Sequence, residues 1–331
     1  MSVKMSRKDL KKLIEKLFSI ERRDKSFFCN ILFDIASTDL GTRLLCSLGM
    51  HFDGKKVALK TNSMLTARGY FSDEKSEIVI KKQSADFLPH RQKNYSKILF
   101  HELTHWDQFL NQATGGHALL PQDKFFTVMV AEADAQSDGD LFEIEQRSSF
   151  SPKRILLHPV TEFFKLVTYT FDPSRRFVAK TKSELQKNHP DWSVSKVLSE
   201  TRKTFFTRTL TDSNAQWHQF YKDPKIVEQA TSGTYSKRKQ CDLMKYYMDK
   251  YGLTWDECLH LQKEVLAHSD YLCSSLSRHK NTEKINSFQI HIPIMTNILS
   301  HTSEMQPLSL ASRGKVKPLD SILSSRRHKA R

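Results

Sequence analysis

The sequence predicts an α+β fold in which a small sheet and its flanking helices are followed by a mainly helical C-terminal part. Residues 55–82 contain three short segments that are rich in β-branched and aromatic residues and are separated by turn-forming stretches. From residue 151 onward, apolar residues recur almost wholly at three- and four-residue spacing, which is typical of amphipathic helices. No segment repeats itself at a fixed period, and this argues against solenoid and propeller folds.

Helices are predicted on both sides of the sheet region. Ser6 and Asp9 form a capping pattern, and the apolar residues behind it recur at helical spacing: Leu10, Leu13, Ile14, Leu17 and Phe18. A second helical piece is predicted around Phe27–Leu48. Two longer helices should run from about Asn94 to Asn111 and from about Phe125 to Gln146, joined by a loop that contains two glycines and a proline.

Three strands are predicted in the segments KKVALKT, ARGYFS and SEIVIKK, and the last two should form a hairpin around Asp73–Ser76. These elements divide the chain into four predicted regions. They are an N-terminal amphipathic helix in residues 1–29, an α+β core in residues 30–150, a helical subdomain in residues 151–305, and a basic flexible tail in residues 306–331.

The composition argues against several classes of protein. The chain has 331 residues, of which 38% are hydrophobic, and this is enough apolar material for a sizeable core. Its five cysteines are scattered and form no C-x-x-C pair, which argues against a disulfide framework and a cysteine-rich zinc site.

No stretch approaches the ~18 continuous apolar residues of a membrane span, and the charged N-terminus lacks the apolar centre of a secretory signal. We expect a cytoplasmic protein, or alternatively an effector that is exported without a cleaved signal peptide.

The formal net charge is +15, and much of it lies at the two ends of the chain. A basic balance can attract nucleic acid, anionic membrane surfaces or acidic partners. From Ser312 to Arg331 there are seven basic residues and one acidic residue, so this tail could contact nucleic acid or an acidic partner weakly. A basic nucleic-acid-associated regulatory protein is one alternative function, although no helix-turn-helix, zinc-finger or RNA-binding motif supports it.

The clearest chemical signal is H-E-L-T-H, residues 101–105, inside an apolar helix pattern. Residues four apart on a helix lie on the same face, so the imidazoles of His101 and His105 can bind a single ion. Gln108 shares their stripe. Glu102 is offset around the helix axis, where it suits a base for a metal-activated water. The competing interpretation is two histidines held by hydrogen bonds in a helical core.

A catalytic zinc needs a third protein ligand, and the spacing H-E-x-x-H-x-x-G-x-x-H is absent. Within the predicted helix further along the chain, the stretch VMVAEADAQSDGD contains four acids: Glu132, Asp134, Asp138 and Asp140. Glu132 lies among apolar residues, where an unpaired carboxylate is costly and a divalent cation would remove that cost. Asp134 is the rival ligand, and His117 in the glycine-containing loop is a weaker one.

H-E-L-T-H followed some 27 residues later by A-E-A-D-A resembles the gluzincin branch of zinc metallopeptidases. The pattern is particularly similar to ImmA/IrrE-like and related bacterial metallopeptidases, whose second motif reads E-A followed by Asn or Asp. The match covers roughly residues 60–146. The resemblance implies a zincin-like core, made of a small mixed sheet, the HExxH helix and a glutamate-ligand helix, followed by a mainly helical C-terminal part.

The resemblance also implies an activity, that of a zinc metalloendopeptidase acting on a peptide or protein substrate. The implied Zn²⁺ ligands are His101, His105 and Glu132, and Glu102 is the implied general base for a metal-activated water. Peptidases of this class lay the substrate along an edge strand beside the zinc helix, and the expected strand is Ser76–Lys82. A non-catalytic zinc-containing binding protein is the alternative that keeps the metal.

The chain departs from the thermolysin-like pattern at one position. An Asp normally stands four residues after the glutamate ligand, and here Gln136 occupies that place. Asp134 or Asp138 is then expected to hold a ligand histidine by its other ring nitrogen. A side-chain donor for the developing oxyanion is also expected, and the sequence does not choose between three candidates: Tyr169, His218 and Tyr221.

Overall fold

The α+β class is confirmed, with a small mixed sheet and mostly helices. The computed structural model describes residues 5–65, 67–82, 89–111, 121–148, 172–221, 223, 225–226 and 243–267. All of these residues belong to the same structural unit, Met1–Ile290. The predicted basic tail, His117 and Tyr169 lie outside the described residues, and the predicted domain boundaries stay predictions.

The N-terminal region contains α1 (Arg7–Leu17), β1 (Phe18–Ile20), α2 (Lys25–Ile35) and α3 (Asp39–Met50). The predicted cap is confirmed, because Ser6 Oγ accepts a hydrogen bond from the Asp9 N–H. The sequence prediction was wrong about Phe18, which begins a strand with φ −119° and ψ 148°. Its side chain is buried, and an apolar period does not distinguish a buried strand residue from the last turn of a helix.

The second predicted helical piece is two helices rather than one. Thr38 has extended backbone angles, and its Oγ1 accepts a hydrogen bond from the Gly41 N–H, which begins α3. A Cβ at Gly41 would lie 1.9 Å from the carbonyl oxygen of Ile35. The chain can therefore turn tightly between α2 and α3 only because residue 41 has no side chain.

The sheet contains β2 (Val57–Thr61), β3 (Gly69–Ser72) and β4 (Glu77–Ile80) in addition to β1, in the order β1-β2-β4-β3. The predicted hairpin is confirmed, because β3 and β4 pair antiparallel with Phe71 opposite Ile78. The prediction that Ser76–Lys82 is the edge strand was wrong. The second arm of the hairpin inserts parallel to β2, so β4 is an inner strand and β3 lies at the edge.

The two long helices predicted around the motif are confirmed as α4 (Pro89–Leu110) and α5 (Pro121–Ser148). One face of α4 packs on the sheet and the N-terminal helices through buried side chains that include Leu99, Leu103 and Trp106. Between α4 and α5, the rings of Phe100 and Phe142 stack with their centroids 4.6 Å apart. The helix that carries H-E-L-T-H therefore lies between the sheet and α5.

The described part of the C-terminal region is helical, as predicted: α6 (Pro173–Asn188), α7 (Val194–Thr211), α8 (Gln216–Phe220), α9 (Leu243–Tyr251) and α10 (Trp255–Ala267). Asp172 caps α6 and Ser193 caps α7 with their side-chain oxygens. The ring of Phe206 on α7 stacks on Tyr251 of α9 at 4.0 Å. Among the described helices, none combines the length and the apolar character needed to cross a bilayer.

Candidate metal centre

Two neighbouring helices bring three candidate ligands together. His101 and His105 lie one turn apart on α4, and their ring centroids are 4.7 Å apart in an edge-to-face arrangement. Glu132 faces them from α5. Within the part of the chain that the structure describes, these three residues form the one group of His, Cys, Asp or Glu side chains whose ligand atoms converge, all within 4.8 Å of one another.

The distances between these atoms fit a single tetrahedral ion. His101 Nε2 lies 3.1 Å from His105 Nε2, Glu132 Oε2 lies 3.5 Å from His101 Nε2, and Glu132 Oε1 lies 3.3 Å from His105 Nε2. Ligands bound at roughly 2.0–2.1 Å with tetrahedral angles must be about 3.3 Å apart. Two imidazole nitrogens and one carboxylate oxygen are also a donor set of catalytic zinc sites, so the residues present fit this metal.

The electrostatics of the cluster also suit a cation. Burial disfavours the charged form of His105, but the carboxylates of Glu132 and Glu102 outweigh it and raise the pKa of His105 to about 9. Burial would raise the pKa of Glu132, yet the two imidazoles hold it well below its usual value. The carboxylate is thus kept ionised. A dication interacts favourably with all three groups at once, whereas a single proton satisfies one contact.

Glu102 lies beside the cluster and against the edge strand β3. Its burial raises its pKa, which the nearby imidazoles and a backbone hydrogen bond from Phe71 only partly oppose. A carboxylate with a raised pKa is a stronger base near neutral pH than an exposed one. Gly69 allows the close approach of β3, because a Cβ there would lie 3.1 Å from Glu102 Oε1 and 2.9 Å from Ile98 Cγ2.

Of the two candidate oxyanion donors that the structure describes, Tyr221 reaches the cluster. The hydroxyl of Tyr221, just after α8, donates a hydrogen bond to Glu132 Oε1 at 2.6 Å. Burial and the nearby carboxylates raise the pKa of Tyr221 well above its usual value, so the phenol keeps its proton. His218 is buried with its Nε2 2.9 Å from the Leu210 carbonyl oxygen, which is a structural contact.

The rival ligand Asp134 is turned away from the cluster. It is fully buried and belongs with Asp138 to a charge cluster in which Lys250 contacts both acids, at 2.6 and 2.9 Å, and Arg202 contacts Asp138. The expectation that Asp134 or Asp138 directly holds a ligand histidine was wrong for His105. Its Nδ1 lies 2.9 Å from Gln108 Oε1 instead.

Sequence reasoning noticed Gln108 on the histidine stripe but gave it no role. The available signal was its position three residues after His105, which brings the two side chains together on one helix face. An amide also has the acceptor that an Nδ1–H requires.

Comparison with known proteins adds no assignment. No protein-family model matches the chain, and neither the curated proteins nor the solved structures contain a significant match. The motif and the geometry of its side chains therefore carry the functional argument.

The Asp138 cluster yields a prediction about acid stability. Burial raises the pKa of Asp138, but Arg202 and Lys250 outweigh it and lower the pKa to about 2. Because the folded pKa lies below the unfolded value of ~3.9, the carboxylate stabilises the fold above pH ~4, and this contribution disappears as the pH falls through about 2. The difference in unfolding free energy between the wild type and Asp138→Asn should shrink by ~2 kcal/mol between pH 4 and pH 2.

Urea denaturation at several pH values measures this difference. Asp249→Asn is the matched control, since it makes the same change at an exposed carboxylate on α9, where a substitution has little effect on stability. A wild-type advantage over Asp138→Asn that stayed constant from pH 4 to pH 2 would contradict the prediction.

Proposed function

We propose that this chain is a gluzincin-type zinc metalloendopeptidase with a zincin-like core, similar to the ImmA/IrrE-like peptidases. The observation that carries the proposal is the convergence of His101 Nε2, His105 Nε2 and the Glu132 carboxylate at mutual distances of 3.1 to 3.5 Å. The proposed core consists of the mixed sheet, α4 and α5.

The ligand count supports a catalytic rather than a structural site. Structural zinc sites are closed by four protein ligands, whereas catalytic sites use three and leave one position for water or substrate. Among the described residues, three protein ligands converge. The buried Glu102 beside them supports the same conclusion. Burying an acid is costly, and a purely structural metal site does not need the Glu102 carboxyl group.

A zinc ion held by His101, His105 and Glu132 would polarise a substrate carbonyl and make a nearby water more acidic. The base for that water is Glu102, whose raised pKa suits it to accept a proton at neutral pH. The same carboxyl group can then give the proton to the leaving nitrogen, so the peptide bond breaks with the departure of a neutral amine.

Tyr221 is the proposed side-chain donor to the developing oxyanion. Its hydroxyl lies 2.6 Å from Oε1 of Glu132, a proposed ligand, and would therefore be close to a carbonyl bound at the metal site. Its raised pKa keeps it a donor. Preorganised donors of this kind act where charge develops in the transition state.

The edge strand β3 is the proposed guide for an extended substrate. An edge strand has backbone groups on one side that can pair with an added strand, and β3 adjoins α4 at Glu102. The hydrogen bond from the Phe71 backbone to Glu102 fixes this edge beside the base. A peptide aligned with β3 would bring a carbonyl to the base without a separate binding domain.

Glu102→Gln tests the base. The amide keeps the shape of the side chain but cannot accept the proton, so cleavage of a broad peptide library should fall by ~10²–10⁴-fold while the zinc content, measured by atomic absorption, is retained. Glu132→Gln is the matched comparison, because it should lose zinc as well. Unchanged cleavage by Glu102→Gln would remove this residue from the mechanism.

Gly69→Ala tests the close approach of β3 to the base. The added methyl group would push against Ile98 and the Glu102 carboxylate, and displacing a catalytic group by a fraction of an ångström should lower kcat by roughly 10–10²-fold with zinc content unchanged. Gly139→Ala is the control, since a Cβ there meets only Lys97 atoms at 3.9 Å or more. Equal kcat values for the two variants would show that the close approach of β3 does not position Glu102.

Tyr221→Phe tests the oxyanion donor. Removing the hydroxyl should lower kcat by ~10²–10³-fold, with a much smaller effect on KM and with zinc retained. Tyr246→Phe is the matched control, because its hydroxyl bonds Asp107 and contacts Lys250, and neither residue belongs to the ligand cluster. A loss seen equally in KM and kcat, or in both variants, would show that Tyr221 has no special role in the transition state.

A further inference from the structure

A chain of buried polar contacts connects α9 to one of the proposed ligands. Asp134 is completely buried on α5. Its Oδ1 accepts a hydrogen bond from the Tyr251 hydroxyl at 2.5 Å and lies 2.6 Å from Lys250 Nζ, and its Oδ2 accepts one from Gln108 Nε2 at 2.7 Å. Gln108 in turn contacts His105. Two groups of α9 are therefore three contacts away from the metal cluster.

The surroundings of Gln108 determine which way its amide points. Its nitrogen lies 2.9 Å from the Ala131 carbonyl oxygen and 2.7 Å from Asp134 Oδ2, and both of these atoms are acceptors. The amide oxygen must therefore face His105, where it lies 2.9 Å from Nδ1. Since a carbonyl oxygen can only accept, Nδ1 of His105 must carry a hydrogen, and its Nε2 is directed at the cluster.

We propose that Gln108 is a positioning residue through which α9 contributes to the metal affinity of the site. Tyr251 and Lys250 of α9 contact Asp134 of α5, Asp134 contacts Gln108, and Gln108 contacts His105. We call this series of contacts the relay. This inference rests on the proposed zinc site. The partner of a ligand imidazole usually fixes its ring orientation and its tautomer. Here an amide is inserted between the imidazole and the carboxylate that anchors it.

In the thermolysin-like pattern the acid stands at residue 136, and here the side chain at that position makes a different contact. The amide of Gln136 donates to Asp140 Oδ1 at 3.1 Å, and Asp140 pairs with Lys97. The Gln136 side chain is thus engaged in a different polar group on the same helix. Asp134, acting through Gln108, therefore serves as the acid that orients a ligand histidine, which residue 136 does not do here.

The experiment measures zinc affinity directly and needs no substrate. Metal-free full-length protein is titrated with zinc in competition with a chromophoric chelator, for the wild type, Gln108→Met and Tyr251→Phe. Methionine keeps the volume of glutamine but offers His105 no strong acceptor, so the zinc Kd should rise by ~10–100-fold. Phenylalanine removes only the hydroxyl from Asp134 and retains the stack on Phe206, and its Kd should rise in the same direction by several-fold.

Gln136→Met is the matched control, because it makes the same change on α5 without touching the relay. Its zinc Kd should stay within about twofold of the wild type. Cobalt substitution gives a second readout, since the visible absorption of bound Co²⁺ follows ligand geometry. The spectrum should change in Gln108→Met and remain that of the wild type in Gln136→Met.

The outcomes separate the two proposals. A wild-type protein that binds no zinc overturns the proposed function. A wild type that binds zinc, with an unchanged Kd in Gln108→Met and Tyr251→Phe, overturns the relay and leaves the proposed function intact. Equal weakening by Gln108→Met and Gln136→Met also overturns the relay, because it would reflect general loosening of the packing between α4 and α5. If Gln108→Met does not fold, Tyr251→Phe decides on the same criterion.

Discussion

The packing of α4 against α5 is the constraint on which the rest of the site depends. The two histidines belong to one helix and the carboxylate of Glu132 to the other, so the ligand distances exist only while these helices stay in register. The stacked rings of Phe100 and Phe142 hold the pair together on the apolar side. Every other described group of the site is attached to this pair, with β3 beside α4 and α9 beside α5.

The amphipathic character of α4 explains how one helix supports both a core and the candidate metal site. Leu99, Leu103 and Trp106 are almost fully buried among apolar side chains, and burying such side chains contributes roughly 1.5–3 kcal/mol each. The stripe of His101, His105 and Gln108 points to α5 instead. Stability from the first face offsets the cost of desolvating polar groups on the second, so the polar groups can be held rigidly without unfolding the helix.

Much of the fold and part of the site follow from local sequence, and the rest depends on contacts between distant residues. The strand and helix patterns and the spacing of His101 and His105 are local, so they were predicted. Burial of an acid in an apolar stretch singled out Glu132 for the same reason. The strand order, which makes β3 the edge, depends on where a hairpin inserts. Tyr221 lies 89 residues from the carboxylate that it bonds, and no spacing rule joins residues so far apart.

The charge balance along α5 distinguishes Glu132 from the next three acids of the helix. Asp140 pairs with Lys97, Asp138 with Arg202 and Lys250, and Asp134 with Lys250. These partners keep their charge across the neutral range. Among the described contacts, the ion pairs of Glu132 are with the imidazoles of α4, and a histidine binds a metal ion only as the neutral ring. A bound dication supplies a lasting positive charge at that point. It would give Glu132 the same kind of permanent partner that the neighbouring acids already have.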